Sequence, residues 1–134
     1  MGKKGASQGS AKAFRVGLLG LGTVGTGTAR IILESQPPLK DKTGLDIRLH
    51  RVAEKDVSKH KAIRAESSLF TTDAYEVLRD PKIDLVVEVI GGIEPAKTYI
   101  LEALRRGKAV VTANKKLLAE HGRELFETAL KHRT

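Results

Sequence analysis

The chain has no cysteine and no tryptophan, a single methionine and only 4% aromatic residues. Without cysteine there is no disulfide framework and no thiolate metal site, so packing alone must hold the fold and the default address is cytoplasmic. The scarcity of aromatics leaves Val, Leu, Ile and Ala to build the core. It also removes the stacking platforms that nucleic-acid binders use. The net charge of +8 is spread over several segments with no basic helix, so no nucleic-acid partner is expected. Long hydrophobic runs are missing too. The stretch from Asp84 to Ile90 carries Glu88 in its middle and falls far short of the roughly 20 residues a membrane span needs, so no membrane partner is expected either. Met1 to Lys12 is Gly, Ser, Ala and Lys without an apolar centre, which argues against a secretory signal and for a disordered leader, set at residues 1–13. Lys3, Lys4 and Lys12 hold three of the eight net charges there.

What is present is one domain's worth of alternating strand and helix signals over residues 14–134. At 134 residues the chain can bury roughly two-thirds of the surface its unfolded form would expose. Phe14 to Leu19 reads as a short buried strand ending at Gly20. From Thr23 the apolar spacing becomes helical, through Val24, Gly25, Ala29, Ile32 and Leu33, until Gln36-Pro37-Pro38 stops it and a loop runs to Gly44. Asp46 to Ala53 reads as a second strand. Val57 to Ser68 reads as a polar connection, and Leu69 to Thr71 as a brief third strand. Asp73 is placed to cap a short helix before Asp80-Pro81. Ile83 to Ile90 is a near-continuous apolar run, the mark of a central parallel strand. Pro95 suits the first turn of a helix bearing Tyr99, Ile100, Ala103 and Leu104, Ala109 to Thr112 returns as strand five, and the remainder reads as two short helices or one interrupted around Gly122. Such alternation with short connections predicts an α/β fold, a doubly wound parallel sheet of the Rossmann type, with its ligand beyond the carboxyl ends of the strands.

One motif sits where it has a mechanism. Gly20-Leu21-Gly22-Thr23-Val24-Gly25 is a GxGxxG between the first strand and the first helix. The first glycine permits the tight turn, the second lets backbone approach a pyrophosphate, and the third allows close helix packing, while the unpaired amides at the helix start face the phosphates. A Walker loop is excluded because no Gly-Lys-Ser/Thr follows. At the end of strand two, Glu54 offers an acceptor for the ribose hydroxyls of NAD and Lys55, with Lys59, a cation for the extra phosphate of NADP. Their order along the chain does not choose between them. Ile90-Gly91-Gly92 after strand four and Thr112-Ala113-Asn114-Lys115 after strand five lie at the same edge. Lys115 there is either a cofactor contact or a surface lysine at a helix start capped by Asn114.

Three segments, GLLGLGTVGTG (17–27), TTDAYEVLRDPKIDL (71–85) and VVEVIGGIEPAKTYILEALRRGKAVVTANKKLLAEHG (86–122), resemble homoserine dehydrogenase, and the resemblance runs from Phe14 to Lys131. It implies an oxidoreductase that uses NADP, with NAD possible, to interconvert L-homoserine and L-aspartate 4-semialdehyde on the route to threonine and methionine. By the same resemblance Leu21, Gly22, Thr23 and Val24 match the dinucleotide loop that Gly20 and Gly25 frame, Lys55 stands in for an arginine that holds the 2′-phosphate, and Lys115 lies beside the cofactor, with Ile90 and Gly91 added as cofactor contacts from their place after strand four. Members often carry Val-Arg-Asp where this chain has Glu54-Lys55-Asp56. The family's homoserine-binding segment, metal-binding loop and catalytic Asp and Lys correspond to positions beyond Thr134. The resemblance therefore implies no catalytic residue and no metal ligand within these 134 residues, cofactor binding without turnover, and a homo-oligomer for the full-length enzyme. Two other readings stand beside it: a free-standing module sensing the ratio of reduced to oxidised cofactor, and a dehydrogenase of the glucose-fructose oxidoreductase group. Ala113-Asn114-Lys115, in place of that group's Glu-Lys-Pro, speaks against the latter.

Overall fold

The computed structural model describes residues 12–134, and most of the expected leader, residues 1–11, lies outside that range. Ala13 does not belong to a leader, because strand β1 (Ala13–Leu19) begins with it and pairs it with Asp46. The other strands are β2 (Asp46–Ala53), β3 (Phe70–Thr71), β4 (Leu85–Glu88) and β5 (Ala109–Thr112). All neighbours are parallel, in the order β3-β2-β1-β4-β5. The chain thus winds one way from β1 through β2 to β3, then returns to β1's other side for β4 and β5. The switch point falls between β1 and β4, whose following connections leave to opposite faces of the sheet.

Both faces of this sheet are covered, which is why its central strands are apolar on both sides. Helix α1 (Thr23–Glu34) lays Gly25, Ala29 and Ile32 on one face, against Val16, Leu18, Leu49 and Val52. Helices α3 (Ala74–Leu78) and α4 (Ala96–Arg105) cover the other, packing Val77, Leu78 and Ala103 on Leu19, Ala53 and Val86. β1 meets α3 at Gly17, where a Cβ would lie 2.4 Å from Val77 Cγ1. Helix α5 (Lys115–Lys131) packs Leu117 and Leu125 on Ile100 and Leu104 of α4.

Several local expectations change. Gln36 to Gly44 is not a loop: Gln36–Thr43 forms a helix, α2, with its prolines in the first turn, where a missing N–H costs nothing, and Gly44 closing it at φ 73°. The prolines end α1 and start the next helix. Pro95 stands at the N-cap of α4, one position before the helical residues. The last segment is one unbroken helix, because Gly122 is buried within it rather than at a break. Val24 and Leu33 share helical spacing with the core face yet are 58% and 37% exposed. Within residues 57–69 the connection contains two 3-10 turns, Val57–Ala62 and Ser67–Leu69.

Candidate functional site

The turn from β1 into α1 is built around two glycines. Gly20 has φ +106°, a conformation that side-chain-bearing residues rarely adopt, and its amide donates to the Ala53 carbonyl (2.9 Å), so the turn hangs from the end of β2. A Cβ on Gly25 would fall 2.0 Å from the Gly20 carbonyl oxygen, so only glycine lets α1 start this close to the strand. Gly22 is different: it is the N-cap of α1, supplies no side chain to the helix, and a Cβ there would meet nothing within 4 Å. The first N–H groups of α1, at Thr23, Val24 and Gly25, have no carbonyl one turn back to bond. Backbone amides and the positive end of the helix dipole converge on an open cradle shaped by the missing side chain of Gly22. This arrangement fits a pyrophosphate.

Leu21 does not present its amide to that cradle. Its side chain is buried at 3% exposure, and its N–H donates to Glu54 Oε1 at 2.8 Å. Glu54 Oε2 accepts the Asp56 amide at 3.0 Å. The residue that follows β2 is therefore turned back onto the glycine loop. Its backbone is fixed as well, since its amide bonds the Thr71 carbonyl (2.9 Å) and its carbonyl accepts from His60 Nε2 (3.0 Å).

Two clefts open along the carboxyl edge of the sheet, one on each side of the loop. The first, about 270 Å³, is lined by Gly20, Gly22, Glu54, Lys55, Lys59, Thr72, Ile90 and Tyr99. The second, about 310 Å³, is lined by Val24, Glu88, Val89, Gly91, Ala113, Asn114 and Lys115. The structure thus gathers the sequence-derived candidates Gly20, Gly22, Lys55 and Ile90 around one cleft and Val24, Gly91 and Lys115 around the other, while Leu21 and Gly25 shape the loop from behind. Thr23 is exposed at the helix start between them. Val89 lines both clefts, which therefore adjoin.

Lys115 is exposed, as the first residue of α5. Asn114 is the N-cap, its Oδ1 accepting the Leu117 amide at 3.1 Å while its Nδ2 donates to the Gly92 carbonyl at 2.6 Å. The capped helix start is present, and Lys115 also lines the second cleft.

Sequence reasoning passed over Glu88. It is fully buried at the end of β4, where Oε2 accepts the amides of Ile90 (2.9 Å) and Gly91 (3.2 Å) and Oε1 accepts the Thr112 hydroxyl (2.5 Å). This carboxylate folds the β4–α4 loop over the strand ends and ties it to β5, which gives both clefts their walls. The available signal was a lone acid inside an apolar strand, just before two glycines.

The chain matches the family model described as "Homoserine dehydrogenase, NAD binding domain" over residues 20–134. It is 47% identical to homoserine dehydrogenase of Bacillus subtilis, covering 88% of this chain and 27% of that protein, and 41% identical to that of Neisseria gonorrhoeae, covering 90% and 27%. Among solved structures it superposes on a homoserine dehydrogenase from Thiobacillus denitrificans with TM-score 0.84 at 43% identity, covering 91% of this chain and 28% of that one. On the S. aureus homoserine dehydrogenase at pH 6.5 the TM-score is 0.82 at 37% identity, with 92% and 31% covered. The chain spans little more than a quarter of the length of these curated relatives.

Proposed function

Because the chain belongs to the homoserine dehydrogenase family, as its NAD binding domain, we propose that it holds NAD(P) along the carboxyl edge of the sheet for the reaction interconverting L-homoserine and L-aspartate 4-semialdehyde. The observation that carries this reading is the open cradle at Gly22, into which the unpaired amides at the start of α1 point. Thr23, Val24 and Gly25 bind the pyrophosphate through their backbone. The cleft at Glu54, Lys55 and Lys59 takes the adenosine ribose, and the cleft at Val24, Gly91 and Lys115 takes the nicotinamide end. NAD(P) supplies the hydride donor or acceptor. Val24, 58% exposed, and Ile90, 42% exposed, are then apolar surface that a flat ring covers, which excludes water there.

The binding of homoserine and the proton transfers belong to segments that the relatives carry beyond the region matched here, in a homo-oligomeric, cytoplasmic enzyme. Helices of the described residues are too short and polar to cross a membrane. Calorimetric titration of the folded chain with NADH tests the reading. Saturable binding with one site per chain is expected, and the absence of binding at millimolar coenzyme overturns it.

A further inference from the structure

We propose that the carboxylate of Glu88 biases the second cleft toward the oxidised, positively charged form of the nicotinamide ring. This inference rests on the nucleotide-binding reading above and adds a discrimination between oxidation states. Neither the pyrophosphate cradle nor the adenosine end can make it, since both are the same in the two forms.

Glu88 is fully buried and lines the second cleft with Val24, Gly91 and Lys115. Both of its oxygens act as acceptors. Oε2 takes the amides of Ile90 and Gly91, which can only donate. Oε1 takes the Thr112 hydroxyl, whose own oxygen already accepts the Asn114 amide at 3.0 Å and so has its proton free for Glu88. The side chain is thus held as a carboxylate, and its position is set by main chain on one oxygen and by β5 on the other.

No cation compensates it. Among the described residues none of the ion pairs includes Glu88. The other buried charged side chain there, Lys108, precedes β5 at the opposite edge of the sheet and gives its Nζ to the carbonyls of Asp80 and Ile83. Amide and hydroxyl dipoles satisfy the oxygens of Glu88 without cancelling its net charge. Inside protein, where the effective dielectric is well below that of water, such a charge acts over several ångströms. Lys115 is the other ionisable group of the second cleft, and it pulls the opposite way. It is exposed, so its ammonium sits in water, where salt screens it. The oxidised ring carries one positive charge and the reduced ring none. The two forms therefore differ by one charge at a cleft whose fixed charge is negative, and the oxidised form gains the more.

Calorimetric titration of the 134-residue chain with NAD+, NADH and ADP-ribose tests the proposal. ADP-ribose lacks the ring, so its affinity reports the rest of the site alone. NAD+ is expected to bind the unaltered chain at least as tightly as NADH, an ordering that needs no variant. Glu88→Gln keeps an acceptor for the loop amides and removes the charge, and it is expected to shift the ratio of the two constants toward NADH by about fivefold or more. The shift persists at high salt, because a buried charge is screened much less than an exposed one. A residue that merely holds the loop would weaken NAD+ and NADH alike. NADH binding the unaltered chain more tightly than NAD+, or a ratio unchanged in folded Glu88→Gln, overturns the inference, while binding of ADP-ribose leaves the nucleotide-binding reading intact. Failure of all three ligands to bind the unaltered chain overturns both.

Discussion

The Thr112 hydroxyl donates to the Glu88 carboxylate at 2.5 Å, joining the ends of β5 and β4 through a side chain that is wholly out of water. The same carboxylate accepts the amides of Ile90 and Gly91, so removing it strands three donors at once. Glu88→Ala is expected to cost about 3–5 kcal/mol in urea unfolding, and Glu88→Gln, which keeps acceptors, distinctly less. A cost for Glu88→Ala below about 1 kcal/mol would mean that the loop finds other partners for these donors.

Gly25 lies against the Gly20 carbonyl, where an added Cβ would sit 2.0 Å from oxygen. The obstacle is backbone, so relief requires α1 to move off the strand. Gly25→Ala is expected to destabilise the fold by about 1–3 kcal/mol or more despite alanine's better helix propensity. Thermal or urea unfolding reads this directly, and a stabilised variant would show that the helix start has slack.

Asp80 carries the acid-pH prediction. Burial pushes its carboxyl up, but the Lys82 amide and the His50 ring, at 2.9 and 3.0 Å, outweigh that and hold it below its ordinary value of 3.8. A depressed carboxylate contributes stability that is complete above its unfolded value and disappears as pH falls through the lower folded value. Asp80→Asn should therefore cost about 1 kcal/mol near neutral pH and progressively less below about pH 4. Urea midpoints of the two proteins that stay equally far apart down to about pH 2 would contradict the assignment.

The sheet was legible because its signals are local. Alternation and flanking turns bound β2 at Asp46 and Ala53, and Asp73, placed by the sequence to cap a helix, accepts the Tyr75 amide at 2.9 Å. α2 was missed because two prolines stop one helix and open the next, and the sequence shows them only once. In the site, the GxGxxG was read from context, but the direction of Glu54 was not readable. Its partner Leu21 is 33 residues away, and no periodicity encodes a side chain turning back onto a distant loop. Lys108 belongs to the same class. Nothing in its place before β5 marks it, yet it is 5% exposed with Nζ donating to the carbonyls of Asp80 and Ile83, and burial lowers its pKa.

On the proposed reading the 134 residues alone bind coenzyme without oxidising L-homoserine, because that reading assigns substrate orientation and proton transfer, each worth orders of magnitude in rate, to segments beyond the region matched. Absorbance at the nicotinamide band with homoserine and either coenzyme checks this. Turnover by the purified chain, lost on replacing Lys115, would place the chemistry in this domain.

The central claim is that backbone amides around Gly22 hold a dinucleotide, and Gly22→Val tests it most directly. Gly22 has open space where its side chain would be and an ordinary φ of −76°, so valine should leave the unfolding free energy from urea titration within about 1 kcal/mol of the parent's. The added methyl groups would instead occupy the cradle. Calorimetry on the folded variant should show binding of NADH lost or weakened at least about a hundredfold. A folded Gly22→Val chain with undiminished affinity would contradict the account.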